Sequence, residues 1–412
     1  MTYMSNLPNL SSVSDARGLG KLLVDTTIGM TDALERVHKN MLAPAAVDLI
    51  YDTIRNITRT VGEGVDAVLA QLPQRLETLG PSAEREAVLS VLNGLLGDRL
   101  RASDNPLFLP MHLRRAGKPL TLTRDALATD IPQASTRLVV LAHGHCMSDL
   151  QWLRNGHNHG TAIAARHGYT DVYLRYCSGL HISENGRNFA DLLETLLAQW
   201  PTPVQELVLL GYSMGGLVVR SACHYAQQAG HEWPRRLRTL VTIGTPHHGS
   251  HLERANNWLG EILGVHPYSA VYAELAKFRS EGSTDLGYGN LLDEDWQGKD
   301  RFAVQPDPRR IVPLPDQVAC YAIGGAIAPD ASDPDGKILG DGVVLLPSAL
   351  GQHKDPVRCV GFPPEQREIV YGVHHLDLLD SRKVSAALLR WLQPRDISSN
   401  YLPTGAPCPN PS

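Results

Sequence analysis

Apolar residues recur in two different periods along this chain. In the first hundred residues the spacing is helical. Leu19, Leu22, Leu23, Thr26, Met30, Leu34, Val37 and Met41 fall at three- and four-residue steps. After Pro44 the same steps relate Val47, Ile50, Tyr51, Ile54, Ile57, Val61, Val65, Val68 and Leu72, and Val88, Leu89, Leu92, Leu95 and Leu96 form a third stripe. This pattern predicts two or three amphipathic helices, punctuated by Pro44, Pro73 and Pro81. From about residue 137 the pattern changes to short continuous apolar runs that alternate with helical stripes. "RLVVLAHG", "TDVYLRYCS", "QELVLLG", "RTLVTIGTP" and "ACYAIGGA" read as buried strands. Phe189, Leu192, Leu193, Leu196, Leu197 and Trp200 mark a helix, and "HLDLLDSRKVSAALLRWL" a closing one. Before them, "MHLRRAGKPLTLT" (111–123) reads as a hairpin around Gly117-Lys118-Pro119. Such alternation predicts an α/β fold, a mostly parallel doubly wound sheet with helices on both faces. The predicted organisation is a helical N-terminal extension over 1–105 and an α/β domain over 106–395. An aromatic-rich insertion at 251–315 interrupts that domain, and a Pro-rich tail occupies 396–412.

One stretch departs from both periods. In "VQELVLLGYSMGGLVVRSA" (204–222) a buried-strand run ends in a serine crowded by glycines, and a helical stripe (Leu217, Val218, Val219, Ala222, Tyr225) follows at once. The turn must be very tight. A serine at its apex takes a strained backbone, and side chains two positions away, at Gly211 and Gly215, would collide with that serine. A G-x-S-x-G match is common as text, but between strand and helix it describes a nucleophile elbow with Ser213 at its tip. The competing reading, an ordinary Gly-rich loop between strand and helix, does not require a serine at that apex.

Composition narrows the partners. The 412 residues carry a formal net charge of −5 and 20% charged residues, so nothing points to nucleic acid. No apolar run is long enough to cross a bilayer, and "MTYMSNLPNLSSVSDARG" lacks the basic start and apolar core of a secretory signal. Cys146, Cys177, Cys223, Cys320, Cys359 and Cys408 are scattered without metal or redox spacing, which predicts free thiols and a cytoplasmic protein. The polar faces of the N-terminal helices mix Lys21, Arg36, Lys39, Arg55 and Arg59 with Asp25, Asp32, Glu35, Asp48 and Asp52. That mixture favours packing on a core over the basic face of a membrane-surface helix. Peripheral membrane or lipid contact through these helices or through the insertion is the alternative.

A serine hydroxyl is a weak nucleophile without a base and a group that orients the base. Downstream of Ser213, "GDGVVLLPSAL" offers Asp341 as the acid. Asp333 and Asp335 in "DPDG" read as a surface turn that matches only the start of a calcium loop. "GVHHLDLL" offers His375 as the base, with His374 as its rival. Ser213, Asp341 and His375 stand in the chain order that this strand–turn–helix arrangement uses. Backbone amides must then hold the charge on the attacked carbonyl oxygen. The expected donors are Met214, directly after the serine, and His145 in "HGHCMSD", where Gly144 permits close approach. His143 and His145 also suggest a metal site. Cys146, Met147 and Ser148 occupy the positions where further ligands would stand, and His157 and His159 lie in a Gly/Asn-rich loop. No metal or cofactor is expected.

With these parts assembled, the chain resembles the α/β-hydrolase superfamily, and within it bacterial lipases and esterases. "TIGTPHHGS" (242–250) is similar to the "GTPHxGS" segment of such lipases and of hydrolases similar to the GPI inositol-deacylase group. "GVHHLDLL" resembles their "GVxHLxLL" segment, which puts the base on His375. The resemblance covers about 137–395 and leaves the N-terminal helices without a function. It implies a serine-dependent carboxylic ester hydrolase acting on an ester or lipid through an acyl-enzyme. The insertion would then be a lid, or a fixed layer, whose Trp258, Leu259, Ile262, Leu263 and Tyr272 line an acyl pocket. The same residues would serve acyl transfer and thioester or amide hydrolysis. A non-catalytic lipid- or partner-binding scaffold is the reading from another class. One departure stands out: His145 replaces the apolar residue that such lipases often carry, so it either reshapes the pocket or adds a hydrogen bond.

Overall fold

A computed structural model describes residues 83–250, 279–303, 307, 309–333 and 339–393. The N-terminal stripes up to Leu72, the calcium-loop candidate Asp335, Cys408 and the acyl-pocket candidates Trp258, Leu259, Ile262, Leu263 and Tyr272 lie outside the described residues. The chain divides into two compact units, one of 1–88, 255–279 and 302–304, the other of 89–254, 280–301 and 305–412.

The centre of the second unit is an eight-stranded sheet, ordered β2-β1-β4-β3-β5-β6-β7-β8. β1 (His112–Arg115) and β2 (Lys118–Pro119) form the expected hairpin, and β1 runs antiparallel to β4 (Thr170–Arg175). From β4 onward every pairing is parallel, through β3 (Arg137–Ala142), β5 (Glu206–Tyr212), β6 (Leu237–Ile243), β7 (Ala319–Ala326) and β8 (Arg367–Tyr371). Helices cover both faces, so the central strands are buried on both sides. This is why Leu138–Ala142 and Leu207–Leu210 read as unbroken apolar runs rather than alternating ones. β8 escaped the sequence reading because its pattern is weak. Of "REIVY" only Val370 is buried, as suits an edge strand.

Helix α1 (Ala83–Ala102) bears the third apolar stripe, and Leu89, Leu92 and Leu96 are buried. Gly94 and Gly97 allow close approach. A Cβ at Gly94 would lie 2.4 Å from Cys146 Sγ, and one at Gly97 would lie 2.2 Å from Cys177 Sγ. Helices α2 (Arg124–Asp130) and α3 (His159–His167) come next, then α4 (Ile182–Gln199) and α5 (Met214–Ala229), which pack on one another. Residues 280–301 of the aromatic-rich stretch belong to this body. Helix α6 (Glu281–Tyr288) buries Ser283, Thr284, Asp285 and Leu286, and Ser221 Oγ of α5 donates to Leu291 O. Helix α7 (Leu346–Ala349) and a closing helix α8 (Arg382–Trp391) complete it. The closing helix is shorter than its apolar pattern predicts. His375–Leu379 forms a separate 3₁₀ turn, because the Ser381 side chain caps α8 by accepting from Val384 N.

Cys146, Cys177, Cys223 and Cys320 are free and buried, as expected. Cys359 departs from that expectation: it is disulfide-bonded. Spacing along the chain does not reveal a disulfide, which depends on how close the fold brings two Cα atoms. Among the described residues no helix is long and apolar enough to cross a membrane.

Candidate active site

β3 lies between β4 and β5, so the chain leaves its carboxyl end to one side and returns on the other. A crevice opens where the strand order reverses in this way, and ligand sites of doubly wound sheets form there. The two segments at that point are the 143–148 loop after β3 and the turn after β5.

The turn carries Ser213 at φ 53°, ψ −124°, a conformation that costs a non-glycine residue on the order of 1–3 kcal/mol. Backbone contacts over-determine it. Ser213 N donates to Ile243 O at 2.8 Å, and Gly216 N to Ser213 O at 3.1 Å. A Cβ at Gly211 would fall 2.4 Å from Gly216 Cα. The reason for Gly215 is different. Its Cβ would lie 2.2 Å from Ala142 O and 2.5 Å from His143 O, so the close approach is to β3, not to the serine. Gly216, which the sequence reading passed over, sits equally close to the Thr245 side chain.

Three side chains distant in sequence form one line. His375 Nε2 is 3.0 Å from Ser213 Oγ, and His375 Nδ1 is 2.7 Å from Asp341 Oδ2. The other carboxylate oxygen, Oδ1, accepts from the amides of Val343 (3.0 Å) and Val344 (2.8 Å). His375 N also donates to Asp341 O, and Tyr212 Oη to His375 O, both at 3.0 Å. All three side chains are buried, whereas His374 is exposed.

Gly244 and Gly325 make room for this line. A side chain at Gly244 (φ 57°) would begin 3.1 Å from His375 Cε1, and one at Gly325 2.9 Å from Asp341 Cβ. Neither was singled out from the sequence as part of the site, although "TIGTP" contains the first.

A second missed group holds the His375 turn from outside. Arg154 reaches both Asp377 Oδ1 and Asp380 Oδ1 at 3.2 Å, and His159 Nε2 donates to Leu378 O at 2.9 Å. His159 is itself bonded to His157 at 2.9 Å, so this pair belongs to a scaffold rather than to a loose loop.

Across the crevice, the loop after β3 approaches the serine closely: a Cβ at Gly144 would lie 3.1 Å from Ser213 Cβ. The rings of His143 and His145 go to different partners. His143 stacks on Tyr176 with centroids 4.3 Å apart, and burial lowers its pKa to about 3. The His145 ring bonds Ser178 and Ser283. In "TPHHGS", burial and then Arg220 hold His247 well below its ordinary range, and burial and then Arg309 bring His248 to about 3. His143, His247 and His248 are therefore neutral near pH 7. Among the described residues no group of three or more His, Cys, Asp or Glu is arranged to hold a metal ion.

Residues 175–263 match the model of the PGAP1-like alpha/beta domain family. A triacylglycerol lipase of Burkholderia plantarii is 26% identical over 185 residues, covering 44% of this chain and 48% of the lipase. The chain thus matches about half the length of that curated relative. Among solved structures, the mature Bacillus licheniformis lipase BlEst2 aligns with 63% of this chain and 92% of its own, at 17% identity and TM-score 0.40. Staphylococcus hyicus lipase aligns with 62% of this chain and 93% of its own, at 14% identity and TM-score 0.35.

Proposed function

We propose that this chain, an α/β-hydrolase by fold and by sequence, is a serine-dependent carboxylic ester hydrolase of the lipase/esterase kind. The observation that carries the reading is the buried hydrogen-bonded line Ser213–His375–Asp341, set at the strained tip of a strand–turn–helix.

In this reading His375 Nε2 takes the Ser213 proton as Oγ attacks the ester carbonyl. Asp341 accepts from Nδ1–H, keeps the ring in the productive tautomer and stabilises the imidazolium. The amides of Met214 and His145 hold the oxyanion, and His375 returns the proton to the departing alcohol. Water, activated by the same imidazole, then releases the acid from the acyl-serine. The substrate is an ester with an apolar acyl chain, and Trp258, Leu259, Ile262, Leu263 and Tyr272 are proposed to meet that chain. Each methylene they bury would contribute ~0.8 kcal/mol at best.

The test is a series of p-nitrophenyl esters from C2 to C16 alongside labelling by a fluorophosphonate probe, which requires an activated serine. Labelling at Ser213, with efficiency rising from acetyl to medium chains, supports the reading. An unlabelled, inactive wild-type protein refutes it. A labelled enzyme with an acetyl optimum retains the serine chemistry and removes the long acyl pocket.

A further inference from the structure

We propose that the side chain of His145 locks the loop that carries the oxyanion amide, and that Ser178 and Ser283, which hold its two ring nitrogens, are positioning residues for the reaction. The inference rests on the ester-hydrolase reading above and deepens it.

The loop after β3 has a reason to need a lock. Its next residue, Cys146, sits at φ 58°, a conformation that a non-glycine residue keeps only when its surroundings impose it. Nearby, Gly144 leaves no room for a side chain beside the serine: a Cβ there would lie 3.1 Å from Ser213 Cβ. The amide of His145 therefore stands between a close contact with the nucleophile and a strained residue. A shift of about 1 Å in such a group costs on the order of a hundredfold in rate.

Three hydrogen bonds fasten this segment from the side away from β5. Ser178 Oγ accepts from Cys146 N at 2.9 Å. Ser178 O lies 3.2 Å from His145 Nδ1, and because a carbonyl can only accept, Nδ1 carries the proton. The Ser283 hydroxyl stands 3.0 Å from His145 Nε2 and 2.9 Å from Ser280 Oγ, so the other ring nitrogen closes a chain of buried hydroxyls. Ser283 belongs to the first turn of α6, whose N-cap Ser280 accepts from Ser283 N at 3.2 Å and donates from Oγ to Gly94 O of α1 at 2.6 Å.

The lock thus joins the oxyanion loop to the β4–α4 connection through Ser178, and to α6 and α1 through Ser283 and Ser280. Ser178, Ser280 and Ser283 are all at most 3% exposed, so little water is available to replace a lost partner. His145 makes the added hydrogen bond that was one of its two expected roles. Helix α1, which the family resemblance left without a role, becomes the back wall of the lock.

The experiment measures kcat and KM with p-nitrophenyl butyrate, per active site titrated by the fluorophosphonate probe. It adds the Ki of an alkylboronic acid, whose tetrahedral adduct on serine places an oxygen in the oxyanion hole. Removal of one oxyanion donor lowers rates by ~10²–10³, so His145→Leu, which displaces the donor without deleting it, should lower kcat by roughly ten- to a hundredfold. KM should stay within about twofold, and the boronate Ki should rise in step with the loss in kcat/KM, because the interaction exists only in the transition state.

His145→Asn keeps a donor for Ser178 O and should recover part of kcat. Ser283→Ala should show the same kcat-selective loss, smaller in size. It should add little on top of His145→Leu, because the two act as one unit. Should His145→Leu fail to fold, Ser283→Ala and His145→Asn carry the test. A folded, fully titratable His145→Leu enzyme with wild-type kcat and boronate affinity overturns the lock, as does full additivity of the two substitutions. Absence of probe labelling in the wild type is a different result: it removes the reaction, and with it the lock's purpose.

Discussion

The Ser213 turn and the 143–148 loop are close counterparts. Each follows a parallel strand, at adjacent carboxyl ends, and each holds a non-glycine residue at positive φ, Ser213 at 53° and Cys146 at 58°. They differ in what supplies the restraint. The turn is fixed by backbone: the Ser213 amide on Ile243 O, and glycines where β5, β3 and α5 meet. The 143–148 loop is fixed through side chains: the His145 ring bonds Ser178 O and the Ser283 hydroxyl, and Ser178 Oγ accepts from Cys146 N. A restraint made of local backbone sterics leaves a signature in a few adjacent residues. One made of distant hydroxyls leaves none. The turn should accordingly fail as a fold when its glycines change, whereas the loop should fail as a catalyst while the fold survives.

The largest expected effect tests the premise of the comparison. Ser213→Ala should lower kcat by roughly 10⁶, as loss of the nucleophile does in other triads, with unchanged far-UV circular dichroism. Residual turnover above a few per cent would mean that another group attacks. Next is Asp341→Asn. Two amides, of Val343 and Val344, face Oδ1 and will keep the new carbonyl oxygen there, which turns the NH₂ toward His375 Nδ1. The ring is then forced to carry its proton on Nε2, where it cannot accept one from Ser213. kcat should fall by ~10⁴ with KM little altered, measured on the same ester.

Gly215→Ala breaks the comparison on the turn's side. Alanine is the better helix residue, but its Cβ meets a strand carbonyl that cannot retreat without disturbing the β3–β5 ladder. Overpacking of this kind costs about 1–3 kcal/mol, so the denaturation midpoint should drop. An unchanged midpoint would show that the turn relaxes freely and that the contrast with the loop is false.

Acid provides a broader test. His143 and His248 titrate at about 3, His159 at about 4, and His247 well below 6.5, in each case chiefly through burial. The unfolded chain binds protons at these positions from about pH 6.5 downward and the folded chain does not, so stability is full above 6.5 and declines as pH falls toward 4. Equilibrium unfolding measured between pH 7 and 5 should take up protons at these four positions, and the unfolding free energy should fall as the pH falls through this range. Uptake near zero would mean that these rings are charged in the fold. The smallest effect is that of His374→Ala. This side chain is exposed beside His375, and kcat should change less than about twofold. A dead variant would shift the base by one position.

Legibility followed the same division. Runs such as Leu207–Leu210 revealed the central strands because burial on both faces leaves no polar positions, whereas the edge strand "REIVY", with only Val370 buried, looked like loop. The closing helix was drawn too long because its apolar period continues through His375–Leu379, and only the Ser381 cap separates the two parts. Arg154 gave no sign of its role, since nothing local marks an arginine that reaches Asp377 and Asp380 more than two hundred residues away.

By itself, then, the sequence determined the alternation of elements, the strained serine turn and the order Ser213, Asp341, His375. Each of these follows from sterics or periodicity over a dozen residues. Only the tertiary structure decided that Gly215 answers to β3 rather than to the serine. The same holds for Gly244 and Gly325 opening space for the histidine–aspartate pair, and for the His145 ring lying between two serines. These depend on which surfaces meet after the sheet has formed, and a hydrogen bond between residues 138 positions apart is specified by the packing of whole elements, not by any residue's neighbours in the chain.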